Sequence, residues 1–375
     1  MLNRLYVHNY RCLNNFELRL KDKPSVLLLG RNGSGKSSVR SALEILQHIA
    51  RGTNRVGTLI KRADLYRDRT DEPVRVEVEA EINARLYRYA LALEYPQGFR
   101  ELRVLSESLE CDGLGIFSRD RAQVHLGPAS DNPNGFRIDW HVVALPLIQE
   151  RSAEDPLAIF RLWLARSLIL DPIPSRITGE SSEETLEPDR EVRRLGGWFA
   201  GLIAHAPATY ADIDSYLRGI LPDLLDIKNP VVAESAEHRS RRLTVNFRAE
   251  THEHVLSVPF AALSDGEKSA FVCALVLAAS KAHNPIFCFW DEPDSHLALD
   301  EVGHFITELR RAFKNNGGQL VVTSHSEETI RRFSHENTFL LHRKSHLEPT
   351  QVSALSDLDI AGDLVGALIR GDVAP

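Results

Sequence analysis

Residues 30–37 read Gly-Arg-Asn-Gly-Ser-Gly-Lys-Ser, and this G-x-x-x-x-G-K-[ST] stretch restricts the fold more than any other feature of the chain. It follows Ser25–Leu29, an apolar run of the kind that forms a strand buried on both faces. A helical pattern of apolar residues continues from it through Ala50. Strand, glycine-rich loop and helix in that order make a phosphate cradle. Glycines let the backbone curl until successive N–H groups face phosphate oxygens, and the helix adds its positive N-terminal end. Gly30, Asn32, Gly33, Ser34, Gly35 and Ser38 would form the cradle for ATP. Lys36 would reach the β and γ phosphates, and the Ser37 hydroxyl would ligate Mg2+.

Two further stretches carry chemistry. Ile286–Trp290 is apolar and ends in Asp291-Glu292, two carboxylates at the carboxyl end of a strand, where ligands of open α/β sheets collect. Asp291 would hold Mg2+ through Ser37 or water, and Glu292 would polarise the attacking water as general base. Leu263-Ser264-Asp265-Gly266-Glu267-Lys268 opens an apolar helix that runs through Ala279. Ser264 and Glu267 have the spacing of a capping box. Capping leaves Asp265-Gly266 unexplained, because a helix former would serve better there.

Ser264-Asp265-Gly266-Glu267 resembles the signature motif of ABC-type ATPases, in the form used by the SMC/RecF and overcoming-lysogenization-defect (OLD) class. The resemblance implies that Ser264, Gly266 and Glu267 meet nucleotide bound on a second copy, so that ATP joins two heads into a homodimer or a higher homo-oligomer. Other pieces fall in the family's order. Asp294-Ser295-His296-Leu297 is similar to the D-loop, His325 in Thr323-Ser324-His325 to the switch histidine, and Arg11 to an arginine near the nucleotide. Gln149 is the candidate for the Q-loop glutamine that couples Mg2+ to a helical lobe. Catalytic roles thus fall to Lys36, Glu292 and His325, and metal ligation to Ser37, Asp291 and Gln149. The fold implied is α/β, a P-loop NTPase of ABC type with a mixed sheet, an antiparallel β subdomain and an inserted helical lobe.

Patterning along the chain supports that division. Val74, Val76, Val78, Ala80 and Ile82 alternate with Arg75, Glu77, Glu79 and Glu81, the mark of an antiparallel strand with one wet face. Leu86–Glu94, Leu102–Glu110 and Phe136–Val143 read as further strands. Residues 155–170, 189–205 and 210–225 carry helical spacing. Strand–helix alternation then returns from Pro285 to His342, the rhythm of a parallel sheet. The expected domains are residues 1–148 and 231–375 as the two parts of an ATPase head, with 149–230 as the inserted lobe. No heptad pattern runs through the insert, so a long coiled coil is not expected. The fifty residues after His325 are too few for a Toprim nuclease.

Composition narrows the partners. A net charge of −7 gives no global drive toward nucleic acid, so DNA would need a local basic patch, with Arg239, Arg241 and Arg242 the first candidate. Four cysteines without a C-x-x-C pair exclude a zinc ribbon and suggest a reducing compartment. The longest apolar run, Phe271–Ala279, is nine residues, too short to span a bilayer, and the N-terminal residues lack an apolar signal core. A cytoplasmic chain with no membrane partner is expected. Three functions fit such a head. One is an ATP-gated regulator of a separate nuclease or toxin in a prokaryotic anti-phage module. Another is a RecF-like DNA-binding repair ATPase. The third is a transporter's nucleotide-binding subunit, disfavoured because Glu267 stands where transporters usually carry Gln.

Overall fold

The computed structural model describes residues 1–127, 134–233, 239–248, 255–283, 285–358 and 366. The chain divides into two compact units, one of residues 1–167 and 333–375 and one of residues 168–332.

The first unit holds the antiparallel sheet that the alternation predicts. Among the described residues it has eight strands, with Leu2–His8 between Phe16–Arg19 and Val74–Ile82, and the meander continuing outward from Val74–Ile82. The even-numbered residues Val74 to Ile82 are all buried, while Arg75 and Glu81 are exposed. The meander is longer than the sequence suggests. Leu114–Asp120 and Gln123–Leu126 add strands that were not expected, and the strand expected over Phe136–Val143 is instead Asn134–Arg137. Helix Pro156–Arg166 begins at Asp155, whose side chain accepts from the Leu157 amide at 3.0 Å. It sets Phe160 against the sheet, stacked on Tyr87 with ring centres 5.8 Å apart.

A buried ion pair ties the meander to the segment that follows it. Glu107 and Arg119 lie 3.5 Å apart with no side-chain exposure. Glu107 also accepts from the amides of Ala144 and Leu145 at 2.7 and 2.9 Å and from the Tyr89 hydroxyl at 3.0 Å. Arg119 donates to the carbonyls of Asp139, Val142 and Arg121. Burial pushes the Glu107 carboxyl up, while the two amides, then Arg119, act the other way. Glu107→Ala would strand a buried guanidinium and two amides. It is expected to cost roughly 3–5 kcal/mol, read as a lowered melting temperature of the nucleotide-free chain.

The same unit contains the phosphate-loop strand Ser25–Leu29, fully buried, with Thr338–His342 parallel beside it and Gln351–Ala354 antiparallel to that. The second unit carries a parallel ladder in which Phe287–Asp291 lies between Leu168–Leu170 and Gln319–Thr323. Its helices are Leu195–His205, Thr209–Ile220, Asp265–Ala282, Leu299–Asn315 and the short Glu327–Arg331. The helical spacing expected at 189–205 and 210–225 thus appears as the first two of these, whereas Leu168–Leu170 and Leu224–Lys228 are strands. No helix among the described residues is long and apolar enough to cross a membrane.

Candidate functional site

In the first unit the glycine-rich loop sits between the strand and the helix that the motif requires. Helix Lys36–Ala50 starts directly from Gly35, whose φ of 112° lies in the region that favours glycine. A Cβ there would also fall 2.4 Å from the Thr350 hydroxyl. At Gly30 the limit is space, since a Cβ would meet the Leu341 carbonyl oxygen at 2.5 Å. Lys36 is buried, and its ammonium donates to the Gly30 carbonyl at 2.5 Å, folded across its own loop. Ser37 is exposed on the first helical turn, Arg31, Asn32 and Gly33 are exposed, and Ser34 and Gly35 are buried. An anion fits this loop well. It offers a lysine at its mouth, a helix N-terminus without a side-chain cap and an open hydroxyl one residue on.

Arg11 reaches the same helix. Its guanidinium donates to the Ser41 hydroxyl at 2.8 Å and to Asp64 at 3.0 Å, and lies over the Tyr10 ring. Burial pushes the Tyr10 phenol up to about 12, so Tyr10 stays neutral at physiological pH. Gln149 is exposed in the loop before Pro156.

In the second unit Asp291 ends its strand with the acid pair, as the sequence reading expects. Glu292 adopts a left-handed conformation, φ 48°, which a non-glycine residue holds only when its surroundings impose it. The imposing contact is Thr323. Its carbonyl and its hydroxyl both accept from the Glu292 amide, at 3.2 and 3.0 Å, and its hydroxyl donates to the Asp291 carboxylate. One threonine therefore orients both acids. The Glu292 carboxylate is about half exposed. It accepts from the Ser295 hydroxyl at 3.2 Å and lies 3.6 Å from Nε2 of His325, so the structure brings general-base and switch candidates together.

Asp294 is buried and accepts from the hydroxyls of Ser324 and Thr329. That pins the segment 294–297 to the segment that carries His325. Ser264 caps helix Asp265–Ala282 in the capping box that its spacing predicts. The Glu267 amide donates to Ser264 Oγ at 3.3 Å, and Glu267 Oε2 accepts from the Ser264 amide at 2.7 Å. Ser264 and Asp265 are nonetheless exposed. A Cβ at Gly266 would stand 3.4 Å from the His296 carbonyl oxygen, an ordinary van der Waals contact, so space alone does not demand glycine there.

The basic clusters are mostly engaged within the chain. Arg241 pairs with Glu184 at 2.8 Å and Arg242 with Glu180 at 3.0 Å, while the Arg239 side chain lies outside the described residues. Hydrogen bonds from Arg193, then Arg176, hold the Glu191 carboxyl down at about 2. Arg331 and Arg332 pair with Glu327 and Glu328 one turn back. Thr323, Ser295 and Thr329 were not singled out by the sequence reading. Thr323 and Ser295 had a signal of position only, since they stand inside the stretches that hold His325 and Asp294.

A phosphate loop at a strand-to-helix junction, an acid pair at a parallel strand end and a helix capped at Ser264 are the parts of an AAA-type P-loop ATPase. The chain belongs to the family described as "AAA domain, putative AbiEii toxin, Type IV TA system", whose model matches residues 144–331. A second model, described as "AAA ATPase domain", matches residues 1–79. Among solved structures the fold resembles an SMC head bound to the C-winged helix domain of ScpA. That match has 14% identity and a TM-score of 0.52, and covers 98% of this chain and 99% of that one. It also resembles an Smc head with an extended coiled coil bound to the C-terminal domain of ScpA from Pyrococcus furiosus, with 13% identity, a TM-score of 0.52 and 99% of each chain covered. An SMC head domain from Thermotoga maritima matches at 14% identity and a TM-score of 0.47, over 94% of this chain and 98% of that one. No curated protein matches the chain.

Proposed function

We propose that the chain is an ATP-driven switch that pairs with a second copy of itself and controls a separate nuclease or toxin in a prokaryotic anti-phage defence module. ATP is held by residues 30–37, with Lys36 on the phosphates, Ser37 and Asp291 as ligands of Mg2+, and Arg11 and Gln149 as accessory groups. The magnesium ion, when bound, neutralises charge on the phosphate oxygens. Glu292 draws the proton from water, and His325 beside it senses whether the γ-phosphate is present. The observation that carries the paired-head reading is the signature helix. Its N-terminus is capped within the chain by Ser264 and Glu267 yet leaves Ser264 and Asp265 exposed to solvent, where a partner copy can meet them.

Two considerations favour an effector over DNA as the target. The family description calls the family itself a "putative AbiEii toxin, Type IV TA system", which sets it among toxin–antitoxin proteins. The arginines from which a DNA surface would be built are largely paired with acids. The test is purification from the native operon. A tagged chain should bring down the product of a neighbouring gene when ATP is present, and the purified chain alone should leave plasmid DNA intact with Mg2+. Cutting by the isolated chain, or an ATP-dependent and salt-sensitive affinity for duplex DNA with no protein partner, would overturn the reading.

A further inference from the structure

We propose that the loop 343–350, between strands Thr338–His342 and Gln351–Ala354, is a brace that sets the shape of the phosphate loop, with Arg343 and Thr350 as its positioning residues. The proposal deepens the nucleotide-binding reading of residues 30–37 and rests on it. The loop is far from the motif in sequence and joined to it in space by two polar contacts, with a third to the segment that precedes the motif. Arg343 Nη1 donates to the Gly33 carbonyl at 3.1 Å, and the Thr350 hydroxyl donates to the Ser34 carbonyl at 2.8 Å. The Thr350 amide donates to the Cys12 carbonyl at 2.8 Å.

The brace is itself stiffened. The other two nitrogens of Arg343 fold the loop on itself, Nε onto the Glu348 carbonyl at 3.0 Å and Nη2 onto the His346 carbonyl at 2.6 Å. The Tyr66 hydroxyl anchors the tip, donating to the Leu347 carbonyl at 3.0 Å. One guanidinium thus ties three carbonyls, two in the brace and one in the phosphate loop, which its planar fork of donors suits and an ammonium does not. Tying the Ser34 carbonyl on one side fixes the peptide plane whose Gly35 N–H must face phosphate on the other, and tying the Gly33 carbonyl holds the turn in which the Ser34 amide donates to the Arg31 carbonyl at 3.0 Å. Gly35 completes the fit, since Thr350 occupies the place a Cβ would take. The brace therefore acts through the phosphate loop by pre-organisation.

Two measurements test this on the full chain. In nucleotide-free protein, Thr350→Val and Arg343→Ala should raise hydrogen exchange across residues 31–36 by about tenfold, while Thr350→Ser, which keeps the hydroxyl, should not. The same two variants should weaken ATP binding by about tenfold at an almost unchanged nucleotide-free melting temperature. Arg343→Lys should bind as weakly as Arg343→Ala, because charge without the fork cannot tie three carbonyls. Unchanged exchange across 31–36 in Thr350→Val and Arg343→Ala would overturn the brace whatever the protein binds. Full affinity in Arg343→Lys would overturn it too, in favour of a direct charge on the nucleotide. Failure of the unaltered chain to bind ATP would instead overturn the nucleotide reading, and the exchange result would still decide the brace.

Discussion

Glu292→Gln should hold ATP without turning it over and accumulate as a nucleotide-bound dimer. The substitution keeps the shape of the side chain and the two bonds from the residue 292 amide to Thr323, so the left-handed backbone there has no reason to relax. What it removes is the proton acceptor, since an amide cannot take a proton from water. Loss of a positioned general base costs roughly 10²–10⁴-fold in turnover. If closure of two heads precedes hydrolysis, blocking the later step leaves the closed species to build up. Light scattering with ATP and Mg2+ should show twice the monomer mass, and ADP should leave the monomer. Adding Lys36→Ala to the same chain should abolish the dimer. A Glu292→Gln chain that stays monomeric with ATP would defeat head-to-head closure through the signature helix.

The parts of this site that a sequence can disclose are those whose chemistry depends on adjacent residues. The glycine loop is legible because φ values, amide directions and the helix start all arise within eight residues. The capping box is legible for the same reason, and so is the strand Val74–Ile82, whose alternation the pleat imposes locally. Thr323, which orients Asp291 and Glu292, is hidden because it lies 31 and 32 residues away on a neighbouring strand, and register sets that contact. Thr350 is further beyond reach, 316 positions along the chain from Ser34. The strand Leu114–Asp120 is hidden for another reason. Its sequence, LGIFSRD, alternates weakly and leaves Leu114 exposed, so it carries little apolar signal of its own and pairs because its neighbour offers an edge.

Lys36→Ala should remove nucleotide binding while leaving the fold intact. Lys36 occupies the first position of helix Lys36–Ala50, where alanine is at least as good a helix former, so the backbone there loses nothing. Within the protein the substitution removes the bond from the ammonium to the Gly30 carbonyl at 2.5 Å. A nucleotide-free melting temperature within a few degrees of the unaltered chain follows. Binding is another matter, because the ammonium is buried at the mouth of the loop, where a charge-assisted bond to phosphate is worth about 1.5–3 kcal/mol each. Two such bonds, one to each of the β and γ phosphates, correspond to a weakening of about 10²–10⁴-fold. At an ATP concentration near 100 times the dissociation constant of the unaltered chain, ligand stabilisation should be about 2.7 kcal/mol. In Lys36→Ala the same concentration should give almost none. A thermal shift that survives the substitution undiminished would mean that ATP binds elsewhere, and the loop at residues 30–37 would lose its assigned role.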